Sequence, residues 1–142
     1  MSGRFPGAFP FAYRYTAGVA GSRFLEALRD RGVFLGSRCS ACDYVYVPAR
    51  LFCERCFSEL AADTEVGPGG TLEAVSVGYP GVDGERLHER VAVGLVKLDG
   101  ADTVLFHRLI GDGLESGMRV EAVLARARTG SILDVVGFQR EG

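Results

Sequence analysis

Residues 39–56 read CSACDYVYVPARLFCERC. Cys39, Cys42, Cys53 and Cys56 stand in the order C-x2-C-x10-C-x2-C, and they are all the cysteines of the 142-residue chain. Each C-x-x-C can curl as a knuckle with both sulfurs on one side, and a ten-residue hairpin brings the second knuckle opposite the first. That is the tetrahedral four-thiolate set that zinc accepts. The intervening DYVYVPARLF suits the hairpin: Tyr44 and Tyr46 alternate with Val45 and Val47 as a strand, Pro48 starts a turn, and Leu51 and Phe52 return. One zinc ion is expected, with iron in the same ligand set and disulfides as the alternatives; the disulfides need an oxidising compartment. Four thiolates leave no open position for water or substrate, so the expected role is structural. The residues after the second cysteine of each knuckle, where the backbone turns left-handed, are Asp43 and Phe57. Aspartate tolerates that region and phenylalanine does so poorly, so a different turn is expected in the second knuckle.

Upstream, GSRFLEALRDRG (21–32) has the pattern of a short helix, with Ser22 as its cap, Phe24, Leu25 and Leu28 as an apolar stripe and Gly32 at its end. About ten residues do not hold a helix alone, so it must dock on something. Ahead of it, FPGAFPFAYRY sets Phe5, Phe9, Phe11, Tyr13 and Tyr15 between prolines and small residues, with no helical or strand period. Downstream lie five β-rich runs at 70–79, 91–98, 103–110, 118–125 and 131–138, separated by turn signals at Asp99-Gly100 and Thr129-Gly130, by GDGLESG (111–117) and by a polar loop (80–89). The runs fit a small OB-type barrel or a sandwich. In TVLFHRLI, Val104, Phe106 and Ile110 are expected inside and His107 outside; in MRVEAVLA, Met118, Val120, Ala122 and Leu124 are expected inside.

Composition narrows the function. Hydrophobic residues make up 47% and charged residues 24%, enough to bury a core, and the net charge is −2. From residue 67 onward there are 8 basic and 11 acidic residues and three aromatics, Tyr79, Phe106 and Phe138, the last two expected in the core. A single-strand nucleic-acid binder needs a positive groove lined with exposed aromatics, so this barrel lacks the equipment. No stretch is long and apolar enough to span a membrane, and MSGRFPGAFPFAYRY lacks the order of a signal peptide, so a cytoplasmic protein is expected. His88 and His107 have no sequence-evident acid or nucleophile partner, Asp83, Glu85 and Glu89 read as a solvated loop, and the glycine runs carry no GK[ST].

The order of parts resembles a family that joins a rubredoxin-like zinc ribbon to a C-terminal OB-fold, first catalogued as of unknown function. The resemblance rests on YTAGVAGSRFLEALRDRGVFLGSRCSACDYVYVPARLFCERC (15–56) and on GMRVEAV (117–123), with Pro48-Ala49-Arg50 departing from the usual double proline before arginine. It implies a mainly β chain: an N-terminal aromatic arm and docking helix (1–36), a zinc ribbon (37–66) and a five-stranded OB-fold barrel (67–142). It also implies a non-catalytic subunit that forms a hetero-oligomer with a thiolase-superfamily protein: a thiolase, an acyltransferase or a retro-aldolase of acyl-CoA. In such assemblies the catalytic residues belong to the partner, and the ribbon and barrel support the complex and border the coenzyme A channel. On that reading Arg50, with Arg38 and Arg55 behind it, is a candidate for a CoA phosphate, because guanidinium groups match phosphate geometry. Phe5, Phe9, Phe11, Tyr13, Tyr15, Phe24 and Leu28 are candidate partner contacts, as exposed aromatic clusters mark interfaces. The alternatives are an OB-fold single-strand nucleic-acid binder and an acyl-CoA enzyme in its own right.

Overall fold

The computed structural model describes residues 3, 6–8, 10–79 and 88–142; Phe5, Phe9, Asp83 and Glu85 lie outside the described residues. Helix α1 (Gly18–Arg31) is followed by β1 (Phe34–Cys39), β2 (Tyr44–Tyr46) and β3 (Thr64–Val66), then by β4 (Gly69–Gly78), β5 (Val91–Leu98), β6 (Leu105–Arg108), β7 (Arg119–Leu124) and β8 (Val135–Arg140). The mainly β architecture expected from the sequence, ribbon followed by barrel, is the one observed.

The helix begins earlier than expected. Ser22 lies inside it, and the N-cap is Ala17, whose side chain caps nothing; the Gly18 amide instead donates to Thr16 Oγ1 at 3.2 Å. Its end is as expected, with Gly32 at φ 66° donating back to the Ala27 and Leu28 carbonyls. Ala20, Phe24, Ala27 and Leu28, at helical spacing, are buried.

β1 serves two partners in turn. Phe34–Gly36 pair with β3, and Ser37–Cys39 with β2. Gly36 sits where the partners meet, and a Cβ there would lie 2.6 Å from the Tyr46 carbonyl oxygen. The barrel strands run in the order β6-β5-β4-β7-β8, all antiparallel. A parallel bridge between Leu109 and Phe138, with the Ile110 amide donating to the Phe138 carbonyl at 2.8 Å, joins the outer strands. A sheet whose third and fifth strands close in parallel is the OB topology, which selects the barrel over the sandwich. Closure is tight: a Cβ on Gly137 would lie 2.8 Å from Ile110 Cγ1 and 2.9 Å from the Arg108 carbonyl oxygen.

One core runs through helix, ribbon base and barrel, holding Phe24, Leu28, Phe34, Val47, Leu72, Val96, Val120 and Phe138 together. Three rings link it, Phe24 to Phe34 at 6.3 Å and Phe34 to Phe138 at 6.2 Å. The loop between β5 and β6 also grips the outer ribbon strand. Asp102 accepts the Val45 amide at 2.8 Å and donates its own amide to the Val45 carbonyl at 2.9 Å, while Thr103 Oγ1 bonds both amide and carbonyl of Val47.

Two strand expectations are corrected. In β6 the phase is reversed: Leu105 and Leu109 face inward with the half-buried His107, and Phe106 is 67% exposed rather than in the core. Both phases of TVLFHRLI carry apolar residues, so alternation could not decide between them. At 131–138 the strand occupies only the second half, because Ser131 and Asp134 form a capping box that winds Ile132–Asp134 into a 3-10 turn. Ile132 and Leu133 are exposed as a result.

Candidate metal centre

β2 leads out of the first knuckle, and an antiparallel bridge from Phe52 to Glu59 encloses the second. The sulfurs of Cys39, Cys42, Cys53 and Cys56 all lie within 4.8 Å of one another. Cys39 and Cys56 are 3.5 Å apart, and Cys53 and Cys42 are 3.9 Å apart. Sulfurs about 2.3 Å from a tetrahedral zinc stand about 3.8 Å from each other, so the four thiols fit that ion with little movement.

Both knuckles use the same turn, against the expectation for the second. Asp43 has φ 50° and Phe57 φ 61°. The Phe57 amide closes the second knuckle onto the Cys53 carbonyl at 2.9 Å, which forces the left-handed backbone whatever side chain follows. Its ring is 78% exposed, so the local cost of about 1–2 kcal/mol is not compounded by a packing clash.

The surroundings favour thiolate at Cys53 and Cys56. The Tyr46 hydroxyl lies 3.3 Å from Cys53 Sγ and the Ser58 hydroxyl 3.1 Å from Cys56 Sγ. Donation from Tyr46, aided by the Cys56 and Arg55 amides, brings the Cys53 thiol down to about 6, and the same bond pushes Tyr46 up to about 12. Ser58 lowers Cys56, whereas the sulfur of Cys56, with burial, pushes Cys42 up to about 12. Four sulfurs this close cannot all ionise against one another, and a divalent cation among them removes that conflict. Tyr46 and Ser58 were not singled out from the sequence. The signal for Tyr46 was its place in the Tyr44–Val47 alternation, where the buried phase carries a hydroxyl; for Ser58 it was a hydroxyl two residues after the last cysteine.

The three ribbon arginines each have a partner within the chain. Arg50 Nη1 donates to Glu54 Oε2 at 2.7 Å, and its guanidinium lies 5.0 Å from the Tyr46 ring centre. Arg55 covers Tyr44 at 5.4 Å, and Arg38 Nε bonds Asp43 Oδ1 at 3.0 Å.

Of the candidate partner contacts, Phe24 and Leu28 are buried in the chain's own core, and that burial corrects the expectation for them. Phe11, Tyr13 and Tyr15 are exposed in a row, each ring 6.3 Å from the next. That spacing places alternate residues on one face, a two-residue period that the reading of the arm had missed. His88 is exposed; His107 accepts the Arg108 amide at Nδ1 (2.9 Å) and lies 3.4 Å from the Ile132 carbonyl at Nε2. No helix among the described residues is long and apolar enough to cross a membrane.

The family model for the rubredoxin-like zinc ribbon domain of ChsH2 matches residues 27–61, the end of α1 through both knuckles. This stretch is similar to a ChsH2-type zinc ribbon. The resemblance expected from the sequence is thereby borne out. A crystal structure of a DUF35-family protein of unknown function from Sulfolobus solfataricus superposes with TM-score 0.67 at 21% identity, covering 87% of each chain. A chain of the Ltp2-ChsH2(DUF35) aldolase superposes with TM-score 0.61 at 24% identity, over 84% of this chain and 92% of that one. At these identities the likeness establishes a shared fold of ribbon and barrel. No curated protein matches the chain significantly in sequence.

Proposed function

We propose that this chain is a zinc-holding, non-catalytic subunit of an acyl-CoA enzyme whose active site lies on a larger partner of the thiolase superfamily. The observation that carries the reading is the closed four-sulfur centre in a ChsH2-type ribbon. Cys39, Cys42, Cys53 and Cys56 would hold the ion, which supplies cross-linking of the two knuckles and leaves no position for substrate. A solved neighbour described as an Ltp2-ChsH2(DUF35) aldolase supports a hetero-oligomer with a catalytic chain.

The remaining chemistry agrees. Every cysteine belongs to the ribbon, and among the described residues both ring nitrogens of His107 face backbone groups. On the barrel, Phe106 and, beside it, Ile132, Leu133 and Val136 line one shallow apolar cleft and are exposed. We assign this face to the catalytic partner, since exposed apolar groups of that extent mark interfaces. Coenzyme A contact by Arg50, Arg38 or Arg55 would require each to leave its present partner. The nucleic-acid alternative has Phe106 and Tyr79 exposed on the barrel, but two rings on an acidic barrel make no multi-base stacking track.

The test is turnover. Acyl-CoA cleavage or condensation should appear only when this chain and its partner are mixed, and Phe106→Asp should weaken the mixture while the chain alone keeps its metal. Turnover by the purified chain alone, or oligonucleotide binding that falls steeply with salt, would overturn the reading.

A further inference from the structure

The barrel has an open strand edge. β7 pairs with β4 only over Gly69–Thr71. Beyond that, Leu72 is held by Met118 and Gly117, and the Ser116 hydroxyl donates to the Glu73 carbonyl at 2.7 Å. From Ala74 to Gly78 β4 still pairs with β5, but no described residue hydrogen-bonds its other side. Such an edge is a template for another strand, and proteins commonly guard it with lysine, proline or a short length. Here the five residues are Ala-Val-Ser-Val-Gly, with neither charge nor proline. Next to it runs a shallow apolar cleft lined by Ala74, Ser76, Val93, Leu95 and Phe106, in which the edge strand itself contributes small side chains.

The same chain carries a segment of matching character. Between Pro10 and α1, residues 11–15 belong to no helix or strand of the chain, and the 6.3 Å ring spacings set Phe11, Tyr13 and Tyr15 in a row, the alternation of a strand. Ala12–Tyr15 make no hydrogen bond to any other described segment, and Tyr13 and Tyr15 are 71% and 90% exposed. Aromatic residues favour strands, and large rings pack well beside small residues of a neighbouring strand.

We propose that residues 11–15 add as a strand to the Ala74–Gly78 edge of a second copy of this chain, laying Tyr13 and Tyr15 over the small-residue cleft. Unpaired backbone amides and carbonyls specify an extended peptide as the occupant, and the arm is of the same length as the edge. Ala12–Tyr15 make no hydrogen bond to that edge in their own chain, and every further copy carries the same segment, so a second copy is the occupant assigned. Exchanged reciprocally, the two arms close a two-fold pair in which both Ala74–Gly78 edges are covered. Phe106 lines both this cleft and the face assigned to the catalytic partner, so the arm of a second copy and that partner compete for it, and the experiment is run on the chain alone.

The experiment is sedimentation equilibrium of the full chain, without any partner, from low to high micromolar. A reversible dimer is expected. Tyr13→Asp with Tyr15→Asp, and separately Ser76→Lys, should each give monomer with unchanged circular dichroism and metal content; Ala74→Lys repeats the edge test if Ser76→Lys misfolds. Since the chain has no tryptophan, Tyr13→Trp adds a single reporter, whose emission should shift to the blue as the dimer forms and should not when combined with Ser76→Lys. A wild-type chain that is monomeric throughout would overturn the proposal. So would a dimer that survives the arm or the edge substitutions, and so would an arm that leaves the chain monomeric yet binds the catalytic partner.

Discussion

Around the knuckles the buried cluster is Cys39, Tyr46, Cys53 and Leu60, whereas the core that runs from α1 through the ribbon base into the barrel buries Phe24, Leu28, Phe34, Leu72, Val96, Leu98, Val120, Val135 and Phe138. One end of the molecule has an aliphatic and aromatic interior of its own. The other has two sulfurs, one phenol and one leucine, too little apolar surface to order a hairpin against its chain entropy. The contrast teaches that the knuckle end depends on its metal and the barrel on burial, while β1 and β2 belong to both: Phe34 and Val45 lie in the main core, Cys39 and Tyr46 in the metal cluster.

The sharpest way to break this comparison is to remove the metal. Binding at a site of this kind is folding free energy of about 10 kcal/mol, so Cys53→Ser or strong chelation should unfold the knuckle segments 39–43 and 52–60, while Val45 and Val47 stay held by the main core and by Asp102 and Thr103. The barrel should stay folded, and hydrogen exchange should show protection lost at the Cys53, Phe57 and Leu60 amides and kept in β5, β7 and β8. Uniform loss across the chain would mean that the two ends are not stabilised separately.

Phe34→Ala should act on both ends. It removes the ring between Phe24 and Phe138 and should cost about 3–5 kcal/mol in denaturant unfolding. Unlike Cys53→Ser, it should lower barrel and ribbon together.

A smaller effect is expected at Asp134, whose carboxylate accepts the amides of Thr129, Gly130 and Ser131 and the Thr129 hydroxyl. Burial opposes its charge, but those donors outweigh it and hold the group below its ordinary value of 3.8. A carboxylate depressed in the folded state stabilises above its unfolded value, and that contribution is lost as pH falls through the folded one. Asp134→Asn should therefore weaken the barrel at neutral pH and flatten its loss of stability below about pH 4. Acid titrations of the two proteins, followed by barrel circular dichroism, check this; parallel curves would contradict it.

The mildest change is Tyr46→Phe, which removes only the hydroxyl on Cys53. Losing an outer hydrogen bond of this type weakens metal binding by about 10-fold, measurable by chelator competition, with barrel stability unchanged.

The metal centre was legible because ligand chemistry fixes both residue type and spacing: four cysteines at C-x2-C-x10-C-x2-C leave few alternatives. The barrel was legible as five runs separated by turns, yet its fine structure was not. In TVLFHRLI both phases are apolar, and only closure against Phe138 decides that Leu105 and Leu109 go inside and Phe106 out. The turn at Phe57 was misjudged because backbone closure onto Cys53 outweighs the preference of one exposed residue. Phe24 and Leu28 could not be assigned from their stripe alone, since a helix that must dock shows the same pattern whether its partner is its own barrel or another chain.

The most direct measurement is isolation of the assembly from native cells through a tag on this chain, followed by identification of what co-purifies and its metal content. The account predicts a larger chain with its own active-site cysteine, one zinc per copy of this chain, and acyl-CoA turnover that is lost when the two are separated and returns when they are mixed. Recovery of this chain free of any larger protein, or with a partner fully active without it, would contradict the account.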